Sequence, residues 1–234
     1  MRALLISNST NAGEGFLEHA TGMIKEFLGE GSNLIFIPYA AVSFSFDDYE
    51  AKVKGKFAEI GYNIESIHRK ENKKTAIVEA DAIVVGGGNT WHLLETLQRL
   101  GLLDVIINTV ARGTNYVGWS AGSNIACPTI RTTNDMPIIE PENMSACALI
   151  PFQINPHYLD ANPDGHAGET REQRIEEFLA VNPGVYVVGL REGSALLVEE
   201  NNISLIGKKN VRIFYSGSTP VEMEPGDDLN FLIS

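Results

Sequence analysis

The sequence predicts an α/β fold built on a doubly wound, mostly parallel sheet with helices on both faces. Two observations lead to this fold class. Short runs of branched apolar residues alternate with segments whose apolar residues recur at helical spacing. Strands and helices that alternate in this way bury a sheet on both faces. Beyond residue 183 the apolar runs follow one another with only turns between them, so we expect a C-terminal antiparallel extension of the sheet.

The strand and helix signals alternate through the first half of the chain. No internal repeat and no convincing linker interrupts the series, so we expect one α/β domain over residues 1–234. The predicted elements are a strand at 2–7, a helix at 15–28, strands at 33–37, 62–67 and 82–85 with helices at 47–60 and 75–80 between them, a triple glycine at 86–88, a helix with leucines at positions 93 to 100, a helix at 103–111 and a strand at 116–117.

The second half of the chain is less regular. Residues 127–150 contain several turn-forming residues and precede a predicted strand at 149–154. Residues 160–168 are polar and glycine-rich, which predicts a mobile loop or lid. After it we expect a charged helix at 170–179 and then the strands of the C-terminal extension, at 185–190, 195–199, 203–206 and 211–215.

Composition and charge narrow the classes of function. The 234 residues, 44% of them hydrophobic, can bury a sizeable core. The net charge of −12 argues against a nucleic-acid partner, because nucleic acids are bound mainly by lysine and arginine. No apolar run approaches the roughly 20 residues that span a bilayer, so we expect no membrane partner and a cytoplasmic location. Cys127 and Cys147 lack metal-ligand spacing and are expected to be reduced and half-buried.

The strongest functional signal is the sequence Gly-Trp-Ser-Ala-Gly at residues 118–122. It follows a predicted strand and precedes residues that can begin a helix, which is the context of a nucleophile elbow. In such an elbow the turn is so tight that the flanking residues must be small, and the serine oxygen is exposed to substrate. Ser120 is therefore our candidate nucleophile.

A serine hydroxyl needs a base that takes its proton, and His157 is our candidate. It follows a predicted strand and a rigid Asn-Pro pair, so it would lie at the carboxyl edge where open α/β sheets assemble their sites. His166 is the rival base, although its setting in the polar loop better suits closure over a substrate. For the remaining histidines we expect surface or packing roles: His19, His68 and His92.

Two carboxylates are candidates for the group that orients the histidine. Asp135 lies between the serine and the histidine in the chain, as in ordinary α/β-hydrolases. Glu192 follows a predicted strand and would lie at another carboxyl edge, a position that favours it modestly. Asp135 could also be a turn residue in a solvated loop, and Glu192 part of a hairpin turn. Both candidates stay open.

The oxyanion that forms on attack needs backbone N–H donors. One candidate is the amide of Ala121, directly after the nucleophile, and the other lies in the triple glycine at 86–88, where a strand meets a helix. The competing interpretation is a phosphate-binding loop. The triple glycine lacks the Gly-x-Gly-x-x-Gly spacing and the lysine and hydroxyl of a P-loop, which favours the oxyanion role.

With the triple glycine, the elbow, the Asn-Pro-His step and Glu192 lined up, the chain resembles the peptidase E (alpha-aspartyl dipeptidase) family along essentially its whole length. The resemblance implies a class I glutamine amidotransferase-like fold in which serine replaces the cysteine nucleophile. It further implies hydrolysis of dipeptides with an N-terminal aspartate through an acyl-enzyme, without a metal or cofactor. Ser120 would be the nucleophile, His157 the base, and the amides of Gly88 and Ala121 the oxyanion hole.

An aspartyl side chain entering a protein of charge −12 needs a local cation. Arginine suits a carboxylate better than lysine does, and Arg171, at the start of the charged helix, is our candidate, ahead of Arg131 and Arg191. The carboxylate of Asp135 or Glu192 that does not serve the histidine would be available to the substrate's amino group. The expected partner is a small peptide with N-terminal aspartate, and the chain is expected to be a monomer or small homo-oligomer.

Two other functions remain open at this point. The same site chemistry would serve an esterase or an amidase that acts on beta-aspartyl or aspartyl-polymer substrates, since only the pocket differs. A non-catalytic, amidotransferase-like module that binds an anion at the triple glycine is the other alternative. Covalent labelling of Ser120 would separate that module from an enzyme.

Overall fold

A computed structural model of the chain describes residues 1–30, 33–162 and 167–233, and its strands form two sheets. The strands are β1 (Arg2–Ile6), β2 (Leu34–Ile37), β3 (Ile64–Ser66), β4 (Ala82–Val85), β5 (Asn115–Trp119), β6 (Gln153–Pro156), β7 (Val187–Leu190), β8 (Ser194–Glu199), β9 (Asn202–Gly207), β10 (Val211–Phe214) and β11 (Val221–Met223). The α-helices are α1 (Thr21–Leu28), α2 (Phe46–Glu59), α3 (Lys73–Val78), α4 (Thr90–Arg99), α5 (Leu103–Ala111), α6 (Ala121–Asn124) and α7 (Arg171–Val181).

The larger sheet has the strand order β3-β2-β4-β5-β1-β8-β9. Its strands from β3 to β1 pair in parallel, and β8 and β9 continue the sheet with antiparallel pairing. The predicted α/β class, a mostly parallel sheet with an antiparallel C-terminal extension, is confirmed. Because the sheet is parallel, β1, β4 and β5 all end at the same edge, where the loops that follow them meet.

Side chains on alternate positions of the larger sheet enter two separate hydrophobic cores. In β1, Ala3 and Leu5 face the core covered by α3, α4 and α5, whereas Leu4 and Ile6 face the core covered by α1 and α2. All four are fully buried. Because successive side chains enter opposite cores, both faces of the strand are buried, which accounts for the continuous apolar runs in the sequence. Burial of each large aliphatic side chain contributes roughly 1.5–3 kcal/mol to the free energy of folding.

The smaller sheet has the order β11-β10-β7-β6, with β6 and β7 parallel and the other pairs antiparallel. The expectation that the whole C-terminal region extends the larger sheet is therefore wrong for β7 and β10. The sequence predicts one sheet, but the strand before His157, β6, belongs to the smaller sheet and not to the sheet that leads into Ser120. Apolar runs identify strands, but they do not specify which neighbour each strand pairs with.

Several predicted boundaries shift. The predicted helix at 15–28 begins only with a 3₁₀ turn at Glu18–Ala20, because Leu17 has a left-handed backbone with φ 53°. The strand expected at 62–67 is the shorter β3, followed by a second 3₁₀ turn at Ile67–Arg69. Helix α3 begins two residues early, because the side chain of Asn72 caps it by accepting from the amide of Thr75. Residues 163–166 of the predicted lid, His166 among them, lie outside the described residues.

The two cysteines are more deeply buried than expected from the sequence. Cys127 and Cys147 are free thiols that are fully buried rather than half-buried, and burial raises the pKa of each to about 12. A thiol with so high a pKa holds its proton at neutral pH and is a poor nucleophile. In the part of the chain that the structure describes, every helix is too short or too polar to cross a membrane.

Candidate active site

Ser120 occupies a strained turn between β5 and α6, with φ 53° and ψ −112°. Such a backbone is rare for a residue other than glycine, and it turns the side chain out of the sheet. A Cβ atom on Gly118 would lie 2.4 Å from the carbonyl oxygen of Gly122, and one on Gly122 would lie 2.1 Å from the carbonyl oxygen of Val85. Both positions therefore require glycine, which is the physical content of the motif.

His157 and Glu192 come from neighbouring strands of the smaller sheet. His157 directly follows β6, and Glu192 lies two residues beyond the end of β7. The two strands are parallel, with Pro156 paired to Leu190, so their carboxyl ends lie side by side. The site therefore forms where the carboxyl edges of the two sheets meet, with the serine on one sheet and the imidazole and carboxylate on the other.

The three side chains form a continuous hydrogen-bonded series. Nε2 of His157 is 2.9 Å from Oγ of Ser120, and Nδ1 is 2.6 Å from Oε1 of Glu192. An ionised carboxylate only accepts hydrogen bonds, so Nδ1 carries the proton and Nε2 is left to accept the serine hydroxyl proton. This arrangement fits a serine nucleophile with a general base and an orienting acid.

A buried serine near the end of β1 joins the two sheets at this point. The amide of His157 donates to Oγ of Ser7 at 3.0 Å, and that hydroxyl donates to the carbonyl oxygen of Leu190 at 2.7 Å. The amide of Ser7 donates in turn to the carbonyl oxygen of Ser194. Sequence reasoning missed Ser7, although the polar run that follows the first strand was a signal, because β1 ends at the same edge as β5.

Asp135 lies elsewhere in the site and does not contact His157. Its Oδ2 accepts from the amide and the hydroxyl of Thr90, at 2.8 Å and 2.6 Å, and from the hydroxyl of Thr133 at 3.0 Å. It is thus fixed at the first residue of α4, where a carboxylate interacts favourably with the helix dipole. Of the two candidate acids, the structure brings Glu192 to the histidine.

The triple glycine packs directly against Ser120. A Cβ atom on Gly87 would lie 3.0 Å from Cβ of Ser120, and one on Gly88, with φ 141°, would lie 2.2 Å from the carbonyl oxygen of Ala40. The hydroxyl of Tyr49 donates to the carbonyl oxygen of Gly87 at 3.0 Å, and burial raises the pKa of Tyr49, so this donor keeps its proton. The turn is held against Ser120 by missing side chains and by this bond.

The amides of Gly88 and Ala121 have the property that an oxyanion hole needs. Among the residues that the structure describes, neither amide donates a hydrogen bond to a protein acceptor. Ala121 is the first residue of α6, so its N–H is one of the unsatisfied donors at a helix start. Both amides are free to donate to an oxygen of a bound molecule.

A cavity of about 580 Å³ opens in front of Ser120 and His157, a size typical of sites for small ligands. Asp135 and the triple glycine contribute to its wall. The wall also contains side chains that sequence reasoning did not single out, since they lie on a helix and in loops that carry no motif: Ser9, Phe16, Phe44, Asp48, Tyr49 and Lys52.

Arg171 is the first residue of α7, whose start is fixed by a capping box between Thr170 and Gln173. The side chain is partly buried, and within the described ranges it makes no hydrogen bond or ion pair. Burial is the main cause that lowers the pKa of Arg171, and a repulsive interaction with Arg174 adds to it, whereas Asp135 acts in the opposite direction. A partly desolvated arginine near Asp135 is available to an anion from outside the chain.

The other two arginines considered for this role lie in different settings. Arg191 forms ion pairs with Asp160 and, at 2.8 Å, with Glu222, and these partners raise the pKa of its guanidinium. Its charge is therefore already compensated. Arg131 is an exposed residue of the loop that follows α6.

A second cluster of polar groups lies away from the serine, at the start of α2. Asp47, Glu50 and His68 bring potential metal-ligand atoms within 4.8 Å of one another. Lys54 and Arg69 form ion pairs with these carboxylates, each with one contact at 2.8 Å. Burial raises the pKa of Glu50, but hydrogen bonds from Lys54 and Arg69 outweigh that effect and hold it at about 2. The cluster is an ion-pair network whose negative charge is compensated by the protein itself.

Comparison with known proteins adds independent findings. A family model described as Peptidase family S51 matches residues 3–206 of the chain. The chain is 52% identical over 233 residues to a protein of Nostoc sp. named Peptidase E, covering 99% of this chain and 96% of that protein. It is 46% identical over 226 residues to a protein of Citrobacter koseri with the same name, covering 97% and 99% of the two chains.

Solved structures show the same fold at lower sequence identity. A putative peptidase E from Listeria monocytogenes superposes with a TM-score of 0.66 at 23% identity, covering 89% of this chain and 98% of that one. A peptidase from an acI-B1 actinobacterium superposes with a TM-score of 0.67 at 17% identity, covering 97% and 96%. These similarities confirm the predicted fold class and the resemblance noted from the motifs.

Proposed function

The chain belongs to peptidase family S51 and is a serine-type dipeptidase, and from this premise we propose that it hydrolyses Asp-Xaa dipeptides through an acyl-enzyme on Ser120. The observation that carries the proposal is the hydrogen-bonded series from Glu192 through His157 to Ser120, which opens onto a cavity that contains Asp135. A carboxylate on the cavity wall, Asp135, and the guanidinium of Arg171, which interacts electrostatically with it and has no ion-pair partner among the described residues, match the two charges of an N-terminal aspartate.

In the first half of the reaction, His157 Nε2 takes the hydroxyl proton as Oγ of Ser120 attacks the scissile carbonyl carbon. The imidazolium that forms is stabilised by the carboxylate of Glu192. The same proton then passes from Nε2 to the leaving nitrogen as the C–N bond breaks, and the Xaa residue departs as an amine. An aspartyl ester on Ser120 remains.

In the second half, a water molecule gives a proton to Nε2 and its oxygen attacks the ester carbon. The proton returns to Oγ when the ester bond breaks, which releases aspartate and regenerates the enzyme. Both halves pass through a tetrahedral oxyanion. We assign its stabilisation to the amides of Gly88 and Ala121, at about 3–4 kcal/mol for one well-placed donor.

The charges around the nucleophile support selection of aspartate. In an Asp-Xaa dipeptide, the α-ammonium and the side-chain carboxylate both lie within two bonds of the carbon that bears the scissile carbonyl. We assign Asp135 to the ammonium and Arg171 to the carboxylate, because Arg171 is partly buried and the two residues interact electrostatically. The overall charge of −12 makes such a local cation necessary for an anionic substrate.

A panel of dipeptides tests the proposed function. We expect Asp-Leu to be cleaved with a kcat/KM about 100-fold or more above those of Ala-Leu and Asn-Leu, because a neutral side chain leaves the partly buried guanidinium of Arg171 unpaired. Release of leucine measured by chromatography gives the rates. Faster cleavage of beta-aspartyl-leucine or of a simple ester would contradict the proposal and favour the amidase or esterase alternative.

Arg171 is expected to determine substrate affinity more than the rate of chemistry. In Arg171→Met, KM for Asp-Leu should rise by about 10- to 100-fold with a much smaller change in kcat, because the lost contact is made in both ground and transition states. Arg174→Met is the matched control, since Arg174 lies on the same helix, is exposed, and has its own partner, Glu169, at 3.7 Å. Equal effects of the two variants would show that bulk charge, and not a contact, is responsible.

A further inference from the structure

Among the described residues that line the active-site cavity, Lys52 is the one lysine or arginine. Its Nζ lies 4.2 Å from the centroid of the Phe16 ring, and it forms no ion pair with a carboxylate in the described ranges. Asp48, one turn earlier on α2, instead accepts from the hydroxyl of Ser45 at 2.6 Å. Lys52 therefore presents a positive charge that has no ion-pair partner among the described residues to the same cavity as Ser120.

Lys52 and Asp135 approach the nucleophile from opposite faces of the larger sheet. Helix α2, which carries Lys52, packs with Phe16 on the core formed by α1 and α2. Asp135 is bonded to the first residue of α4, which packs on the other core. Ser120 follows β5 at the edge between these two faces. A molecule that reaches both Lys52 and Asp135 therefore occupies the cavity that Ser120 also lines.

A dipeptide substrate has an α-ammonium on one side of the scissile bond and an α-carboxylate on the other, and Asp135 and Lys52 have the complementary charges. The acyl residue carries the ammonium assigned to Asp135, and the leaving residue ends in a free α-carboxylate. We propose that Lys52 binds this carboxylate, and that Phe16 and Phe44 contact the side chain of the leaving residue. The inference rests on the proposed function and adds the subsite that selects dipeptides from longer peptides, because a longer chain has a neutral amide where the carboxylate would be.

The Phe16 ring positions the ammonium of Lys52 without neutralising its charge. A cation over an aromatic face is attracted to it yet can still donate hydrogen bonds to an anion. The partly buried Phe16 lies under the Lys52 ammonium, and Phe44, which is 47% exposed, lines the same cavity. Exposed apolar rings beside a cation suit a leaving residue with an apolar side chain, such as leucine.

The test compares a substrate that has the carboxylate with one that lacks it. In wild type, kcat/KM for Asp-Leu should exceed that for Asp-leucinamide by about 10-fold or more, as expected for a lost charge-assisted hydrogen bond at an accessible site. In Lys52→Met this preference should fall to about one, because KM should rise much more for Asp-Leu than for the amide. Lys52→Arg should restore most of the preference.

Lys56→Met is the matched control. Lys56 lies on the same helix, is not among the residues that line the cavity, and forms an ion pair with Glu59 at 2.6 Å. The preference of Lys56→Met should therefore stay at the wild-type value. The inference is overturned if Lys52→Met lowers kcat/KM for both substrates by the same factor, or if wild type does not distinguish them.

Binding of the leaving amino acid separates failure of this inference from failure of the proposed function. If wild type cleaves neither Asp-Leu nor Asp-leucinamide, the proposed function fails. Titration of free leucine and of leucinamide, followed by NMR, then measures the subsite alone. Leucine should bind wild type more tightly than Lys52→Met, whereas leucinamide should not distinguish them, and equal leucine affinities would overturn the assignment of Lys52.

Discussion

Replacing Ser120 by alanine is expected to lower kcat for Asp-Leu by about 10⁴-fold or more while the fold is kept. The reaction then has no oxygen to carry the acyl group, and His157 has no hydroxyl to deprotonate. Alanine carries the same Cβ as serine, so the backbone at φ 53° and the packing against Gly87 do not change. Leucine release gives kcat, and circular dichroism with thermal unfolding checks the fold.

Ser123→Ala provides the matched control in the same turn. The Ser123 side chain is fully buried, and its Oγ donates to the carbonyl oxygens of Ile6 at 2.7 Å and Gly118 at 2.9 Å without being a member of the hydrogen-bonded series. Its loss should cost about 1 kcal/mol of unfolding free energy and leave kcat near the wild-type value. A fluorophosphonate should add mass to wild type and to Ser123→Ala, but not to Ser120→Ala. Retained turnover by Ser120→Ala would contradict the acyl-enzyme mechanism.

The fold could be predicted from sequence wherever local pattern determines structure. The alternation of apolar runs with helical spacing gave the larger sheet and its helices, because each strand there is buried on both faces. The smaller sheet could not be predicted in the same way. Strands β7 and β8 are similar apolar runs separated by a short turn, yet β7 pairs with β6 and β10 while β8 pairs with β1. Pairing of this kind depends on contacts between distant parts of the chain.

The candidate site divides along the same line. The elbow around Ser120 has a local sequence signature, although only Gly118 is required by a contact within the turn, with Gly122, whereas Gly122 is required by the neighbouring strand at Val85. The position after a strand pointed to His157 and Glu192, but the choice between Glu192 and Asp135 needed the register that sets Pro156 beside Leu190. Lys52 was missed because one lysine on an amphipathic helix gives no signal until the cavity that it faces is known.

Glu192 and Asp135 are expected to affect different kinetic constants. In Glu192→Gln, kcat for Asp-Leu should fall by about 10²- to 10³-fold, because an amide can donate to Nδ1 and favour the wrong tautomer, and it does not stabilise the imidazolium. The effect should be smaller than for a buried acid, since the side chain of Glu192 is 46% exposed and water can partly replace it. KM should change little, because Glu192 contacts the base and not the substrate.

Asp135→Asn should instead raise KM for Asp-Leu by about 10-fold or more with a smaller effect on kcat, because the neutral amide attracts the substrate ammonium less strongly. The asparagine oxygen can still accept from the amide and hydroxyl of Thr90, so the start of α4 is retained. Glu199→Gln controls for the change in net charge. Glu199 is the last residue of β8, and its carboxylate forms an ion pair with Arg2. If Asp135→Asn abolished kcat while Glu192→Gln preserved it, the acid behind His157 would be Asp135 in the working enzyme, and the loop that carries it would have to move to reach the imidazole.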